Sequence, residues 1–439
     1  MFLRSKWILP ALLVFVAGQP ERCAGEPPKI RIGLIQGAQS VAFSAPMGTI
    51  SILDLAGERP IAQALQGETW RVSLEPAGGS PQRGSPTIIN AAGEAVGSAG
   101  AGVLLVPPEG GVVRVSGVQG HWDKITDRDY RGVIEVRARD GALTAVNIVD
   151  VETYLRGVVP SEMPAKYPLA ALEAQAVAAR GQALIKAGRH RSEGFDLCAT
   201  QHCQVYGGAT SEDPNSDRAV ASTWGQVLEY EGRLADTLYS SNCGGHTVSN
   251  EDYWPGQHAV PYLRGGADYD RAAIPLEFPL AGDTLKQYLK YAPPVYCHQP
   301  QYAKASRFRW WSVVPREELH KSLTEAVGEF GDLLDVRVTN RAESGVVREI
   351  AVIGSKKLFK IRGGSDIRRA LGDLNSASFA IEPIREGDNP PVAFTIWGAG
   401  WGHQVGMCQV GAAGLADLGW DYRAILSNYY QGCTLASRY

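Results

Sequence analysis

The stretch LAALEAQAVAARGQALIKAG, residues 169–188, constrains the fold more than any other part of this chain. It is rich in Ala, Leu, Glu and Gln, which are among the best helix formers. Pro168 suits the first turn of a helix, where no amide donor is needed, and Gly188 suits its C-terminal end. One narrow stripe of the helix consists of small apolar residues, namely Leu169, Leu172, Ala176, Ala179 and Ala183. Such a stripe predicts a buried helix whose backbone packs closely against a sheet.

The sequence before this helix, from about residue 28 to residue 148, is β-rich. The runs KIRIGLI and GVVRVSGV are typical of strands, and YRGVIEVRARDGALTAVNIV predicts a hairpin. The hairpin turn is Asp140-Gly141, a dipeptide that favours a two-residue turn between antiparallel strands. Further on, residues 224–249 predict two strands around a turn at Glu231-Gly232.

Residues 270–390 have a different character. REELHKSLTEAVGEF predicts an amphipathic helix, LLDVRVTNRAESGVVREIAVIG a hairpin, and SDIRRALG a short helix. We therefore expect an α+β fold, with a β-rich core around one buried small-residue helix and an inserted α+β subdomain. The predicted segments are a signal peptide (1–25), an N-terminal β-rich region (28–120), a core (121–268), the inserted subdomain (269–390), and a Gly-rich loop and helix that complete the core (391–439).

The N-terminus has the features of an export signal. Arg4 and Lys6 precede an apolar run from Trp7 to Ala17 that is too short to span a bilayer. Small residues follow at 16–18 and 23–25, and cleavage at either fits. We expect an exported protein, periplasmic or associated with the cell wall; an uncleaved anchor is the alternative. The formal net charge of −3 gives no argument for a nucleic-acid partner.

Four motifs in the core and at the C-terminus resemble those of the stage II sporulation protein D family, also called the SpoIID/LytB or amidase-enhancer family. They are YLRGVVPSEMPAKYPLAALEAQAVAAR, HCQVYGG, NCGGHT with Trp254 after it, and GWGHQVGMCQVGAAGLA. Their order is that of the family, and the resemblance covers nearly the whole mature chain. It implies action on peptidoglycan, as a lytic transglycosylase that cuts between N-acetylmuramic acid and N-acetylglucosamine.

Glu162 is the residue to which the resemblance assigns catalysis, since the family's catalytic glutamate lies in the S-E-M-P motif. Hydrolases usually flank a glycosidic bond with two carboxylates. A lytic transglycosylase needs no activated water, because the muramic 6-hydroxyl attacks intramolecularly. One glutamate then serves as acid and afterwards as base, provided that a partly apolar pocket raises its pKa. We expect Glu162 in a stiff loop, restrained by Pro160 and Pro164, before the buried helix.

His403, in GWGHQVGMCQ, is the second predicted catalytic residue. The glycines around it let the backbone approach a ligand closely, and the imidazole would stabilise charge or orient Glu162. A satisfied structural histidine is the competing interpretation. The family pattern has Gly at 404 and Ser at 408, where this chain has Gln404 and Cys408. The residues predicted to bind substrate, because they match family positions, are Gln175, Gln204, Tyr206, Ser240, Trp254 and Gln409.

The segment CATQHCQVY brings two cysteines and a histidine close together, Cys198, His202 and Cys203. Thiolate and imidazole ligands suit zinc, although the spacing is not that of a C-x-x-C pair. The resemblance supports a structural zinc ion at these three residues, completed by His190, Cys243 or His246. A Cys198–Cys203 or Cys203–Cys243 disulfide suits an exported protein equally well. If zinc binds, residues 198–203 must form a loop beside Glu162.

A non-catalytic reading belongs to a different class of function. The amidase-enhancer name suggests a peptidoglycan binder that stimulates a separate cell-wall amidase. Two hydrolase mechanisms are disfavoured: adjacent His202 and Cys203 would point to opposite sides of a strand, and Ser240 lies in no nucleophile-elbow pattern. The expected partners are therefore glycan strands, and in the second reading an amidase.

Overall fold

The computed structural model describes residues 25–55, 59–74, 85–119, 125–270, 280, 282–291 and 293–439. Nearly all of the predicted signal peptide, residues 1–25, lies outside them. No helix within these ranges is long and apolar enough to cross a membrane.

Two sheets build the N-terminal half. Their strands are β1 (Lys29–Ala38), β2 (Ser40–Ser44), β3 (Ile50–Asp54), β4 (Pro60–Ala64), β5 (Thr69–Leu74), β6 (Pro86–Ile89), β7 (Ala95–Ser98), β8 (Gly102–Val106), β9 (Val113–Gln119), β10 (Ile125–Tyr130), β11 (Val133–Arg139), β12 (Ala142–Asp150) and β13 (Leu197–Cys198). One sheet has the order β13-β1-β12-β11-β8-β3-β4, and the other β10-β9-β2-β5-β6-β7. Ile32 and Ile134 from the first and Phe43 and Val115 from the second are fully buried in one shared core.

The hairpin predicted at Asp140-Gly141 is confirmed. β11 and β12 pair antiparallel, with Arg139 opposite Ala142 across the turn. Asp140 has φ 51° and Gly141 φ 78°, so both adopt the left-handed conformation that this kind of two-residue turn requires.

Four helices of the described chain lie between β12 and the C-terminal half, and the first of them follows directly on β12. They are α1 (Val151–Glu162), α2 (Leu169–Lys186), α3 (Pro214–Ser222) and α4 (Asn250–Tyr253). Asp150 caps α1 by accepting a hydrogen bond from the Thr153 amide at 2.9 Å. Helix α2 is the predicted small-residue helix, and Leu172, Ala176, Ala179 and Ala183 of its stripe are fully buried. The predicted β-rich α+β fold is confirmed, but the stripe's expected packing against a sheet is wrong, because α2 packs mainly against other helices, among them α1 and α3.

The expectation that Glu162 lies in a stiff loop is wrong, because it is the last residue of α1. Pro160 lies inside the final turn, where it removes one amide donor. The helix nevertheless ends regularly, since the Met163 amide still bonds the Val159 carbonyl at 2.9 Å. The buried residues of VETYLRGVV stabilise the helix enough to extend it past the proline.

The C-terminal half has a second apolar core, which includes Leu323, Phe330, Ile350 and Phe394. Its elements are α5 (Gly282–Lys290), α6 (Ala305–Phe308), β17 (Arg309–Pro315), α7 (Arg316–Val327), β18 (Leu333–Arg341), β19 (Val347–Gly354), β20 (Leu358–Arg362), α8 (Gly364–Ala370), β21 (Phe379–Ile384) and β22 (Ala393–Ala399). The strands form two sheets, β17-β22-β21 and β18-β19-β20. The predicted amphipathic helix, hairpin and short helix correspond to α7, β18–β19 and α8. The domain boundaries stay a prediction.

Short elements link the two halves. They are β14 (Gln226–Tyr230), β15 (Arg233–Leu234), β16 (Tyr239–Ser240), β23 (Met407–Cys408), α9 (Gln409–Asp417), α10 (Tyr422–Tyr429) and β24 (Thr434–Ser437). The turn predicted at Glu231-Gly232 joins β14 to β15. β16 pairs parallel with β23, with Ser240 beside Cys408. This pairing brings the NCGGHT and GWGHQVGMCQ motifs together, although about 165 residues separate them.

Candidate functional site

Glu162 lies partly exposed at the C-terminal end of α1. Its Oε1 accepts a hydrogen bond from the Val205 amide at 2.7 Å. Burial raises the pKa of Glu162 to about 7, opposed by the Val205 hydrogen bond and by the positive charge of Lys186. A carboxyl group that titrates near neutrality both donates and accepts protons readily, as general acid–base catalysis requires.

Two buried tyrosines, Tyr154 and Tyr239, interact electrostatically with the Glu162 carboxyl. Gln204 connects them, since it accepts from the Tyr154 hydroxyl at 3.2 Å and donates to the Tyr239 hydroxyl at 3.0 Å. Gln204 also donates to the Ala179 carbonyl of α2 at 3.1 Å. The Gln204 amide is thus buried in the framework behind Glu162, and its assignment to sugar binding stays a prediction.

Tyr206, another residue predicted to bind substrate, lies in the same interior region. Its side chain is 2% exposed, and its ring centroid lies 4.8 Å from that of Tyr154. Its hydroxyl donates to Asn147 at 2.8 Å. These contacts anchor the loop that carries Val205, and the substrate-binding role of Tyr206 stays a prediction.

Lys186, the last residue of α2, is a member of the site that the sequence motifs did not single out. It lowers the pKa of both Glu162 and His403 through its charge. Burial lowers its own pKa, and Asp236, 3.9 Å away, opposes that effect. The sequence feature that could have indicated Lys186 is its place at the end of a helix that is otherwise predicted to be buried.

His403 lies in the same electrostatic environment. Its Nδ1 accepts a hydrogen bond from the Val405 amide at 3.0 Å. Burial, reinforced by the charges of Lys186 and Arg368, lowers the pKa of His403 to about 3, so the imidazole is neutral at physiological pH. Its ring packs against Trp254, with 5.3 Å between centroids. The two rings form one half-buried surface.

Three of the predicted substrate residues lie together in the interior, Gln175, Ser240 and Gln409. Gln409 Nε2 donates to Gln175 Oε1 at 3.3 Å. Gln175 Nε2 and Ser240 Oγ are buried polar atoms without a hydrogen-bond partner in the described part of the chain. Such atoms retain capacity for a ligand or an ordered water molecule.

A candidate metal centre adjoins Glu162. His190, Cys198, His202 and Cys203 each offer a ligand atom, and these atoms all lie within 4.8 Å of one another. Cys198 ends β13, and residues 199–203 form a turn, as predicted for a zinc site. The turn lets His202 and Cys203 point toward the same place, which a straight strand would prevent. His190 is the fourth member, whereas Cys243 belongs to a different group. Val205, the donor to Glu162, is two residues beyond Cys203.

The geometry of this first group fits zinc. The Cys203 Sγ lies 3.4 Å from His190 Nε2, and the Cys198 Sγ lies 3.7 Å from His202 Nδ1. Tetrahedral zinc with ordinary ligand distances separates sulfur and nitrogen by about 3.6 Å. The other ring nitrogen of His190 lies 2.6 Å from Glu193, a carboxylate placed as in many histidine metal sites. These residues fit the ion that the family resemblance implies.

Comparison with known proteins places the chain in a family. A model described as stage II sporulation protein matches residues 139–230, and a domain of unknown function (DUF8618) matches residues 248–406. Stage II sporulation protein D of Bacillus subtilis is 30% identical over 315 residues, which are 66% of this chain and 76% of that protein. The chain belongs to the stage II sporulation protein D family.

Two further relatives extend the comparison. The amidase enhancer of Bacillus subtilis is 32% identical over 298 residues, 64% of this chain but 40% of the enhancer. An uncharacterized protein of Brachyspira hyodysenteriae is 29% identical over 307 residues, 69% of this chain and 71% of that protein.

Proposed function

We propose that this protein is a peptidoglycan lytic transglycosylase with Glu162 as its single acid and base. Membership of the stage II sporulation protein D family relates the chain to the bacterial cell wall. The observation that carries the finer proposal is the Glu162 carboxyl itself, partly buried, held by the Val205 amide and with a pKa of about 7.

The proposed reaction has two proton transfers. Protonated Glu162 gives its proton to the glycosidic oxygen as the bond to the muramic anomeric carbon breaks. The muramic 6-hydroxyl oxygen then bonds to that carbon, and the Glu162 carboxylate takes the hydroxyl proton. The products are a 1,6-anhydro-muramic end and a new free 4-hydroxyl on N-acetylglucosamine. Glu162 returns to its starting protonation state.

One carboxylate suffices in this scheme because the nucleophile is part of the substrate. Glu251 and Asp252, which are close in sequence to Trp254, are both held in ion pairs by Arg264 and Arg348. Within the part of the chain that the structure describes, the groups that shift the pKa of Glu162 are the Val205 amide and Lys186, and no carboxylate is among them. This arrangement favours an intramolecular nucleophile over a water activated by a second acid.

We propose that zinc at His190, Cys198, His202 and Cys203 has a structural role. The ion would fix the turn at residues 199–203 and, through it, the Val205 amide that orients Glu162. Four protein ligands leave no open position for a reacting group, which is typical of structural zinc sites.

The second candidate function is that of a non-catalytic enhancer. A relative of 32% identity carries the name amidase enhancer, and this favours keeping the alternative. Under that reading Glu162 would contribute to binding, and amidase stimulation would survive its replacement. A Ser-His hydrolase using Ser240 has no support, since its hydroxyl has no hydrogen-bonded base among the described residues.

The test compares wild type with Glu162→Gln on purified glycan strands, with and without their peptides. The amide keeps the size and the Val205 hydrogen bond but has no transferable proton. We expect the variant to release no product while the matched control Glu173→Gln, whose side chain bonds Ser222 on the protein surface, keeps full activity. Product release by Glu162→Gln at the wild-type rate would refute the mechanism. No product from either protein, with amidase stimulation by both, would establish the enhancer.

A further inference from the structure

A second group of ligand side chains lies in the interior, away from the surface of the molecule. Its members are Cys243, which follows β16, Asp268, Cys297, and Cys408 at the end of β23. Their ligand atoms all lie within 4.8 Å of one another. All four residues are buried, with exposures of 2%, 1%, 0% and 1% respectively. Four segments distant in sequence therefore contribute one ligand each.

The Asp268 carboxylate is the member that most needs a cation. Its Oδ1 accepts a hydrogen bond from the Tyr429 hydroxyl at 2.6 Å. Its Oδ2 is buried and has no nitrogen or oxygen donor in the described structure, so that besides Tyr429 the carboxylate's side-chain partners are the sulfurs of Cys243 and Cys297. An unpaired buried carboxylate oxygen is costly unless a metal or a donor satisfies it. The neighbouring side chains of Cys243, Cys297 and Cys408 offer sulfur, which binds metals well.

The sulfur of Cys408 is arranged as a thiolate would be. It accepts hydrogen bonds from the Cys243 amide at 3.2 Å and the Gly411 amide at 3.3 Å. It lies at the N-terminus of α9, where the helix dipole also favours negative charge. Backbone donors to a ligating sulfur are a common outer shell of metal–thiolate sites.

The separations fit zinc. The Cys243 and Cys297 sulfurs are 3.7 Å apart. Thiolates in a zinc tetrahedron, each about 2.3 Å from the ion, are about 3.8 Å apart. We propose that Cys243, Asp268, Cys297 and Cys408 form a second, buried zinc site with three sulfur ligands and one oxygen ligand, independent of the His190 group and of the transglycosylase proposal.

A Cys243–Cys297 disulfide is the competing arrangement. It would use two of the four groups, leaving the Cys408 sulfur with its two amide donors alone and removing two of the sulfur neighbours of Asp268 from any role as ligand or donor. Zinc uses all four. The excess negative charge of three thiolates and a carboxylate is offset in part by Arg309, which interacts electrostatically with Cys243 and Cys297 and donates to the Gly244 carbonyl at 2.9 Å.

The site would hold the loop that carries His403. Gln404 has a positive φ of 62° and is fully buried. Its Nε2 donates to the Cys243 carbonyl at 2.7 Å, and its Oε1 accepts from Ser378 at 2.8 Å. An ion that fixes Cys243 and Cys408 would therefore restrain the segment containing His403 and Gln404 at two points, the Gln404 side chain and Cys408.

The test is metal counting by mass spectrometry on the full chain, purified without chelator or affinity metal. Asp268→Asn is expected to lose one equivalent of zinc relative to wild type, whatever the occupancy of the His190 group. The matched control Cys433→Ser, whose cysteine lies outside both groups, is expected to lose none. Retention of the wild-type zinc content by Asp268→Asn would overturn the proposal.

Two measurements remain decisive even if Asp268→Asn fails to fold. Peptide mapping of the wild type is expected to find Cys243, Cys297 and Cys408 as thiols, and a Cys243–Cys297 disulfide would overturn the site. In Cys198→Ala/Cys203→Ala, X-ray absorption at the zinc edge is expected to show three sulfurs and one oxygen around one remaining ion. Absence of that ion, or a shell with nitrogen ligands, would also overturn it.

Discussion

Glu162 and Lys186 set the charge balance at the candidate active site. Burial raises the pKa of the glutamate, and the lysine opposes this. The sequence alone identified Glu162 through its motif, but a motif does not reveal which distant side chains face it. Lys186 and the Val205 amide were therefore missed. For the same reason the sequence did not reveal the hydrogen bonds of Gln204 and Tyr206, whose partners Tyr154 and Asn147 come from other elements.

The raised pKa of Glu162 should make the free energy of unfolding depend on pH. The folded-state pKa of about 7 exceeds the ordinary value of 4.5, so the native state binds more protons between these values. Its stability then falls as pH rises from 4.5 to 7. Glu162→Gln removes this titration. As the pH is raised from 4 to 8, we expect the free energy of unfolding of the variant to increase by roughly 1–3 kcal/mol relative to that of the wild type. This range allows for the partial exposure of Glu162. Urea unfolding at both pH values measures it, and a pH-independent difference would contradict the shift.

The charge of Lys186 should control the pH range of activity. Lys186→Met removes a cation that lowers the pKa of Glu162. The alkaline limb of the rate profile, where the acid loses its proton, is expected to move to higher pH. Lys166→Met, which removes a surface lysine bonded to the Gln301 carbonyl, should leave the limb in place. An unchanged limb in Lys186→Met would show that the two groups are not coupled.

At the scale of elements, local pattern predicted most of what the structure contains. The Asp140-Gly141 hairpin, helix α2 and the α7–α8 unit depend on turn chemistry and periodicity within a few residues. The extent of α1 was misjudged because Pro160 reads as a helix breaker, and the packing that overrides it involves residues remote in sequence. The loop after β13 brings His190 to Cys203, a contact that spacing left open among three candidates.

Close packing of α1 against the Val205 loop offers a test at this scale. A Cβ on Gly157 would lie 2.7 Å from the Tyr206 ring and 2.8 Å from the Gly208 carbonyl. The clash caused by Gly157→Ala should lower the free energy of unfolding by about 1–3 kcal/mol. The higher helix propensity of alanine should offset up to about 1 kcal/mol of this loss. Gly266→Ala, where a Cβ meets open space, should change it by about 0.5 kcal/mol or less. Equal effects of the two substitutions in denaturant unfolding would refute this packing.

At the scale of the molecule, the candidate site joins segments from across the chain. Glu162 belongs to the helix after the first sheet, whereas His403 and Cys408 lie near the C-terminus and reach the core through the β16–β23 pair. The family resemblance predicted that His403 joins the core with Glu162, but the sequence could not predict the group at Asp268, since its ligands are spread over residues 243–408. Single-sequence patterns report neighbours along the chain and only rarely contacts across it.

Metal removal should weaken this long-range organisation. If both groups hold zinc, each ion stabilises the folded chain by binding it in preference to the unfolded one. Dialysis against a strong chelator is expected to lower the melting temperature by at least several degrees, and added zinc to restore it. The control is Cys198→Ala/Cys203→Ala with Asp268→Asn, for which the chelator should change nothing. An unchanged melting temperature of the wild type would contradict a structural role for zinc.

The central claim is that the muramic 6-hydroxyl is the nucleophile. Glu162 alone donates the proton to the glycosidic oxygen and removes the proton from the 6-hydroxyl. Digestion of glycan strands in water enriched with oxygen-18, followed by mass spectrometry of the new ends, tests this directly. We expect 1,6-anhydro-muramic ends without incorporated oxygen-18, and none of them with Glu162→Gln. Reducing muramic ends that carry oxygen-18 would show that water is the nucleophile and would contradict the account.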